Sequence, residues 1–221
     1  MTKRIALTVT ILAALAAAVP AFAGITVYSN AFKSRSDYHA ITKQAGKKKK
    51  CKRNWRKKSA LGVTVKGGKQ VCQLKTPVEG DSPQPDLIVQ VEAKLTEATE
   101  KAARKGAFVG VMVRSSRKDG YTFRIIPKTR KWELVEDKVV LEKGKDKAVK
   151  GIKKKNVLEI RAKGDTIVGK VNGKTMTSYK DPSPDDVKGT GTGLAYGIKQ
   201  KVKKKDAVAF FDKLKVQVPN P

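Results

Sequence analysis

Glycoside cleavage by acid–base chemistry needs two carboxylates at a fixed separation, about 5–5.5 Å for retention and wider for inversion. Glu133, Glu136 and Asp137 come nearest to such a set. Their spacing does not suit it, because Glu136 and Asp137 fall at the end of a strand pattern, where acidic residues face solvent. A Ser-His-Asp arrangement would have to use His39, the only histidine, which lies in a polar segment far from any Gly-x-Ser-x-Gly elbow. One histidine and two cysteines also fall short of a closed zinc site. The Gly-Thr-Gly-Thr-Gly run at 189–193 enters a strand pattern, so it is not the phosphate cradle that a helix N-terminus makes. The chain therefore carries no expected catalytic residue, metal ligand or cofactor.

A second set of polar residues has a clearer spacing. Between 108 and 173, apolar and polar residues alternate, and alternation places successive side chains on opposite faces of a strand. Tyr121, Phe123 and Ile125 share one parity. Trp132 with Leu134, Leu158 with Ile160, and Ile167 with Val171 match it. These read as the core between two sheets, and Trp132 is placed there by its parity with Leu134 rather than as a sugar-stacking ring. The opposite parity holds Met112, Arg114, Thr122, Arg124, Glu133, Glu159 and Arg161. If the strands are neighbours, Arg114, Arg124, Glu133, Glu159 and Arg161 form a polar band on the outer face of one sheet. Such a band can hydrogen-bond the hydroxyls or carboxylates of a ligand. It can equally pair with itself across strands on a solvated face.

The elements that would position this band are short strands divided by turn residues. Strand patterns occupy 24–32, 61–65, 70–75, 87–95, 108–114, 121–126, 130–135, 139–143, 156–162, 166–171, 174–179, 194–199 and 208–218. Gly67-Gly68 reads as a hairpin signal, Asp119-Gly120 as a turn, and Asn172-Gly173 as a type I′ turn, since both of its residues tolerate positive φ. Residues 34–43 read as a turn with a short strand, 46–58 as a solvated basic loop, and 76–86 as a Pro-rich connection. Residues 96–105 read as a loop with a partial helical turn. Many short strands with almost no helix mean an all-β sandwich or barrel, in which the first and last strands pair.

Residues 1–23 read as a signal peptide. Lys3 and Arg4 precede an apolar stretch too short to span a bilayer comfortably, and Ala21-Phe22-Ala23 is a small-x-small cleavage site. Residues 24–221 would then form one exported domain, with no transmembrane segment in the mature chain. In an oxidising compartment, Cys51 and Cys72 suggest a disulfide. The formal charge of +29 comes from 49 basic against 20 acidic residues, and such a field attracts polyanions. Lysine clusters stand at 47–50, 56–58, 153–155 and 203–205. Lysine outnumbers arginine in them, which favours diffuse attraction over bidentate recognition. No aromatic-interleaved basic strand points to specific nucleic-acid readout.

The segments YTFRI (121–125), WEL (132–134), NVLEI (156–160), GDTI (164–167), VNG (171–173), Asp181, GTGTGLAYG (189–197) and FFDKLKV (210–216) occur in an order that resembles concanavalin A-like lectin/glucanase domains. The resemblance is nearest to LamG-like and 3-keto-disaccharide hydrolase-like modules of bacterial extracellular proteins. It implies a two-sheet antiparallel jelly roll, an extracellular or periplasmic location and frequent glycan binding. The E-x-D-x-x-E run of the superfamily's glucanases is absent from the chain. The leading expectation is a secreted, non-catalytic module that binds a glycan or an anionic cell-wall polymer. A glycoside-cleaving enzyme of the 3-keto-disaccharide type and a structural envelope protein are the alternatives.

Overall fold

The computed structural model describes residues 24–47, 49–56, 60–79, 85–116, 119–187, 189–202 and 206–219. The expected leader at 1–23 lies outside them, as do Lys48, Lys57, Lys58, Lys118 and Lys203–Lys205. In chain order the elements are β1 (Gly24–Asn30), α1 (Arg35–Ala40), β2 (Thr42–Ala45), β3 (Cys51–Arg56), β4 (Ala60–Val65), β5 (Gln70–Glu79), β6 (Leu87–Leu95), α2 (Glu100–Ala103), β7 (Ala107–Ser115), β8 (Tyr121–Ile126), β9 (Lys131–Glu136), β10 (Val139–Lys145), β11 (Asn156–Lys163), β12 (Thr166–Val171), β13 (Lys174–Lys180), β14 (Gly191–Ile198) and β15 (Ala207–Pro219).

Two antiparallel sheets form the sandwich. The seven-stranded sheet runs β10-β9-β8-β7-β14-β5-β2, and the eight-stranded one runs β13-β12-β11-β6-β15-β4-β3, with β1 also on β15. The long last strand organises the second sheet. It pairs β6 on one side, and on the other it takes β4 near its start and β1 near its end. The pairing of first and last strands fixes both ends of the domain and covers an edge.

The alternating residues do what their parity predicts. Tyr121, Phe123, Ile125, Leu134, Leu158, Ile160, Ile167 and Val171 are all fully buried between the sheets. Trp132 is partly buried against the same core, its ring 6.3 Å from that of Phe123. Removing a side chain such as Phe123 from water contributes about 1.5–3 kcal/mol. Gly169 on β12 leaves room for it: a Cβ there would sit within 2.4 Å of the Phe123 ring. Asn172 and Gly173 have φ of 51° and 84°, as the tight turn between β12 and β13 requires.

Four local expectations are corrected. Residues 46–58 are not simply a loop, because Cys51–Arg56 forms an edge strand paired with β4. An edge strand keeps basic side chains in solvent while its backbone is satisfied. Gly67-Gly68 does not close a hairpin: β4 belongs to one sheet and β5 to the other. The two glycines, at φ of 27° and 92°, turn the chain across the end of the sandwich, where Gly67 donates to Asp206 and Gly68 to the Val202 carbonyl. The Pro-rich connection is partly strand, since β5 continues through Pro77 to Glu79. Pro77 has no N–H to give to the ladder. The ladder accordingly shifts there, with Lys75 opposite Gly193 and Glu79 opposite Gly191. The polar stretch after β1 makes a short helix, α1, capped reciprocally by Ser34 and Asp37.

Cys51 and Cys72 form the disulfide, with Cα atoms 5.8 Å apart. The bond joins β3 of one sheet to β5 of the other, beside Gly46, whose φ of 104° lets the backbone pass the sulfur.

Candidate functional site

The outer face of the seven-stranded sheet carries a groove of about 480 Å³. Its floor follows from three cross-strand rows. One row runs Glu133 (β9), Arg124 (β8), Gly110 (β7), Ala195 (β14) and Gln73 (β5). On one side of it lie Val135, Thr122, Met112 and Gly193, and on the other Phe108, Gly197 and Val71. Each row holds a glycine beside a large side chain. A Cβ on Gly110 would meet Arg124 at 2.8 Å, one on Gly193 would meet Met112 at 2.8 Å, and one on Gly197 would meet Phe108 at 2.7 Å. The missing side chains on Gly193 and Gly197 therefore let Met112 and Phe108 lie flat across β14, and Gly110 leaves room for the root of Arg124. Phe108, Met112, Ile126 and Ala195 form a small apolar cluster of their own on this outer face. The result is a shallow apolar floor with polar side chains set into it.

Charge is concentrated at its centre. Arg124 donates through Nε and Nη2 to Glu133 Oε2, at 2.8 and 2.7 Å. Its guanidinium lies 4.7 Å from the Phe108 ring centroid. Lys199, which follows β14, reaches the other Glu133 oxygen. Both Arg124 and Glu133 are buried, at 8 % and 4 % exposure. Burial alone would raise the Glu133 carboxyl, but the Lys199 hydrogen bond and the charge and hydrogen bond of Arg124 outweigh it and hold it below the usual carboxylate range. Glu133 is thus a fixed anion, and its two cations are oriented rather than free.

The two ends of the groove differ in sign. Lys69 and Lys199 line one end, and Asp119 and Asp137 line the other together with Lys138, whose Nζ is 3.9 Å from Asp137. Behind the acidic end, burial raises the Glu136 carboxyl, and the fields of Asp181, Asp186, Asp137 and Asp119 raise it further.

The expected polar band is not one band. Arg124 and Glu133 are neighbours in the groove, as their parity implies. Arg114 is not with them. Met112 pairs with Gly193 and Ser115 with Gly191, so Val113 and Arg114 together oppose Thr192 in a bulge. Arg114 has φ of 48° there, which breaks the alternation. Its side chain is completely buried, with Nε donating to the Pro85 carbonyl at 3.3 Å and Nη2 3.5 Å from Asp86. Glu159 and Arg161 lie on the outer face of the other sheet, on β11. They pair with each other, and Glu159 also accepts from Gln90 at 3.1 Å and lies 3.9 Å from Lys170. That arrangement is a largely buried ionic network, and Arg161 and Lys170 line a second pocket of about 550 Å³ on that face. Lys199, Phe108 and the glycine floor are site residues that charge and motif spacing did not single out. The signal was present in the even spacing of Gly191, Gly193, Gly197 and Lys199.

Two packed antiparallel sheets in this order, with a groove on the outer face of the seven-stranded one, make the concanavalin A-like lectin/glucanase fold. Comparison by sequence finds no matching family model and no significant match among curated proteins. Solved structures do match in fold. The carbohydrate-binding module CBM66 from Bacillus subtilis superposes with a TM-score of 0.58 at 14 % identity, over 80 % of this chain and 95 % of that one. The β-glucanase of Bacillus licheniformis gives 0.60 at 8 % identity, over 88 % and 98 %. Alginate lyase A1-II', of polysaccharide lyase family 7, gives 0.54 at 11 % identity, over 76 % and 84 %. The fold is therefore shared with carbohydrate-binding modules and with glycan-active enzymes.

Proposed function

We propose that this chain is an exported, non-catalytic module that binds a glycan or anionic cell-envelope polymer in the groove of the seven-stranded sheet. The leader at 1–23 directs export, and residues 24–221 act as one domain outside the cytoplasm, where the Cys51–Cys72 bond is stable. The observation that carries the reading is the groove itself: a flat apolar floor suited to a sugar face, with the Arg124–Glu133–Lys199 cluster set into it. Fixed donors of this kind suit hydroxyls and carboxylates. The names of the fold neighbours, a carbohydrate-binding module among them, agree with a saccharide ligand.

The test is glycan-array screening, followed by titration of wild type and the Gln73→Ala/Thr122→Ala variant, two polar groove positions whose loss leaves the core intact. Affinity is expected to fall about tenfold, the loss of one or two hydrogen bonds, with no change in melting temperature. Unchanged affinity in the variant sinks the reading.

A second reading, cleavage of a glycosidic bond as in 3-keto-disaccharide hydrolases, draws on the acidic end of the groove. Asp119 and Asp137 line it, and the raised Glu136 carboxyl stands behind them, the kind of group a general acid requires. Incubation with oxidised and unoxidised disaccharides decides it. Turnover that survives Glu136→Gln and Asp137→Asn removes those residues from consideration.

A further inference from the structure

We propose that the ligand is an acidic polysaccharide, whose chain leaves the groove across a lysine surface at one end of the sandwich. The inference rests on the groove reading above and names the substrate class.

Three described stretches meet beyond Lys69 and Lys199: residues 46, 47, 49 and 50 before β3, residues 66–69 between β4 and β5, and residues 199–202 after β14. Their backbones are tied together. Cys51 N–H donates to the Lys47 carbonyl at 2.9 Å, Lys66 to Lys50 at 2.8 Å, and Gly68 to Val202 at 2.7 Å. The Cys51–Cys72 bond anchors the same corner. Lys47, Lys49, Lys66, Lys69 and Lys201 are exposed there, with Lys50 half-buried among them. The surface is thus a set of cations on a braced backbone, continuous with one end of the groove.

Like several others, these lysines have no counterion among the described residues, whereas some elsewhere are each held by a carboxylate. Lys153 is held by Glu97, Lys155 and Lys213 by Glu92, and Lys174 by Asp146. Among the described residues, none of these six is within ion-pair range of a carboxylate, whereas Lys199 at the groove end belongs to Glu133. Asp206, the acid of the adjoining loop, accepts from the Gly67 N–H. At the far end, two carboxylates, Asp119 and Asp137, outnumber the one cation, Lys138. A neutral glycan is indifferent to that gradient. A chain with a carboxylate on each sugar is drawn toward the lysine end and repelled from the other. Lysine ammonium groups are mobile point charges rather than planar forks, which fits a repeating carboxylate more than one docked group.

The test uses a matched pair of probes, an oligogalacturonate and its methyl ester, which share a backbone and differ in charge. The variant Lys47→Gln/Lys49→Gln/Lys66→Gln/Lys201→Gln changes exposed positions outside the groove lining. The acid is expected to bind more tightly than the ester, with the gap closing as salt is added. The four substitutions should weaken the acid roughly tenfold at low salt, from four exposed ionic contacts, and leave the ester unchanged. Equal affinity for acid and ester, or an acid affinity that the four substitutions do not move, overturns the inference. If ester binding is then still lost in Gln73→Ala/Thr122→Ala, the groove reading stands without it. Acid binding that needs the lysines but ignores the groove variant removes the groove reading and leaves the lysine surface as the site. A short DNA duplex bound as tightly as the acid, with the same salt dependence, overturns the assignment to polysaccharide. Failure of both probes to bind overturns both.

Discussion

Arg124→Met tests whether the charged centre of the groove is built as a unit. The substitution keeps an unbranched apolar stem but removes two of the hydrogen bonds to Glu133, leaving a carboxylate of 4 % exposure with Lys199 as its remaining cation. Breaking a buried pair from one side costs about 3–5 kcal/mol. Lys199 stays in place, which puts the expected loss near the lower bound, about 3 kcal/mol, and the stacking on Phe108 lies within that figure at about 0.5–1 kcal/mol. The double variant Arg124→Met/Glu133→Leu leaves no buried anion and should lie about 2 kcal/mol above the sum of the single losses. Urea unfolding of the four proteins measures this coupling. The pH dependence supplies a second reading. The folded Glu133 carboxyl is depressed, so its contribution is complete above the unfolded value of about 4.3 and fades as pH falls through the folded one. The stability gap between wild type and Glu133→Gln should therefore narrow in acid. Additive single losses, or a gap that does not change with pH, would refute the account of the centre as an ionised, interlocked cluster.

Other perturbations have equally definite expectations. Gly169→Ala drives a methyl group into the Phe123 ring and should cost about 1–3 kcal/mol of stability by denaturant unfolding. Glu136→Gln should raise the melting temperature at neutral pH, because burial and the acids around it penalise the ionised form. A carboxyl with a raised folded pKa weakens the fold above that pKa, so the gain should vanish at acid pH, below the unfolded value. Cys51→Ser/Cys72→Ser opens the cross-link between the sheets; it should cost about 3 kcal/mol by the loop-entropy argument, read as a lower unfolding midpoint.

The fold was legible because its signals are local and redundant. Tyr121, Phe123 and Ile125 alternate without interruption, Asn172-Gly173 can hardly be anything but a tight turn, and the two end strands pair as closed sandwiches demand. The site was less legible, for three physical reasons. Parity says which face of a strand a residue occupies but not which sheet owns the strand, so Glu159 and Arg161 appeared beside Arg124 and Glu133 when they lie on the opposite sheet. A single residue in the left-handed region resets the alternation, which is how Arg114 came to be buried. Lys199 acts across β7 and β8, a distance no local pattern encodes. The same blindness to sheet membership made Gly67-Gly68 look like a hairpin when it is a crossing. The groove floor was written in glycines, whose contribution is the absence of a side chain.

Backbone amide NMR during titration with oligogalacturonate tests the central claim most directly. Binding in the groove predicts shifts at Lys69, Gln73, Thr122 and Val135, which line it, and none at Val168 and Lys170 on the other sheet. Shifts confined to the Val168–Lys170 face, with the groove amides unmoved, would contradict it.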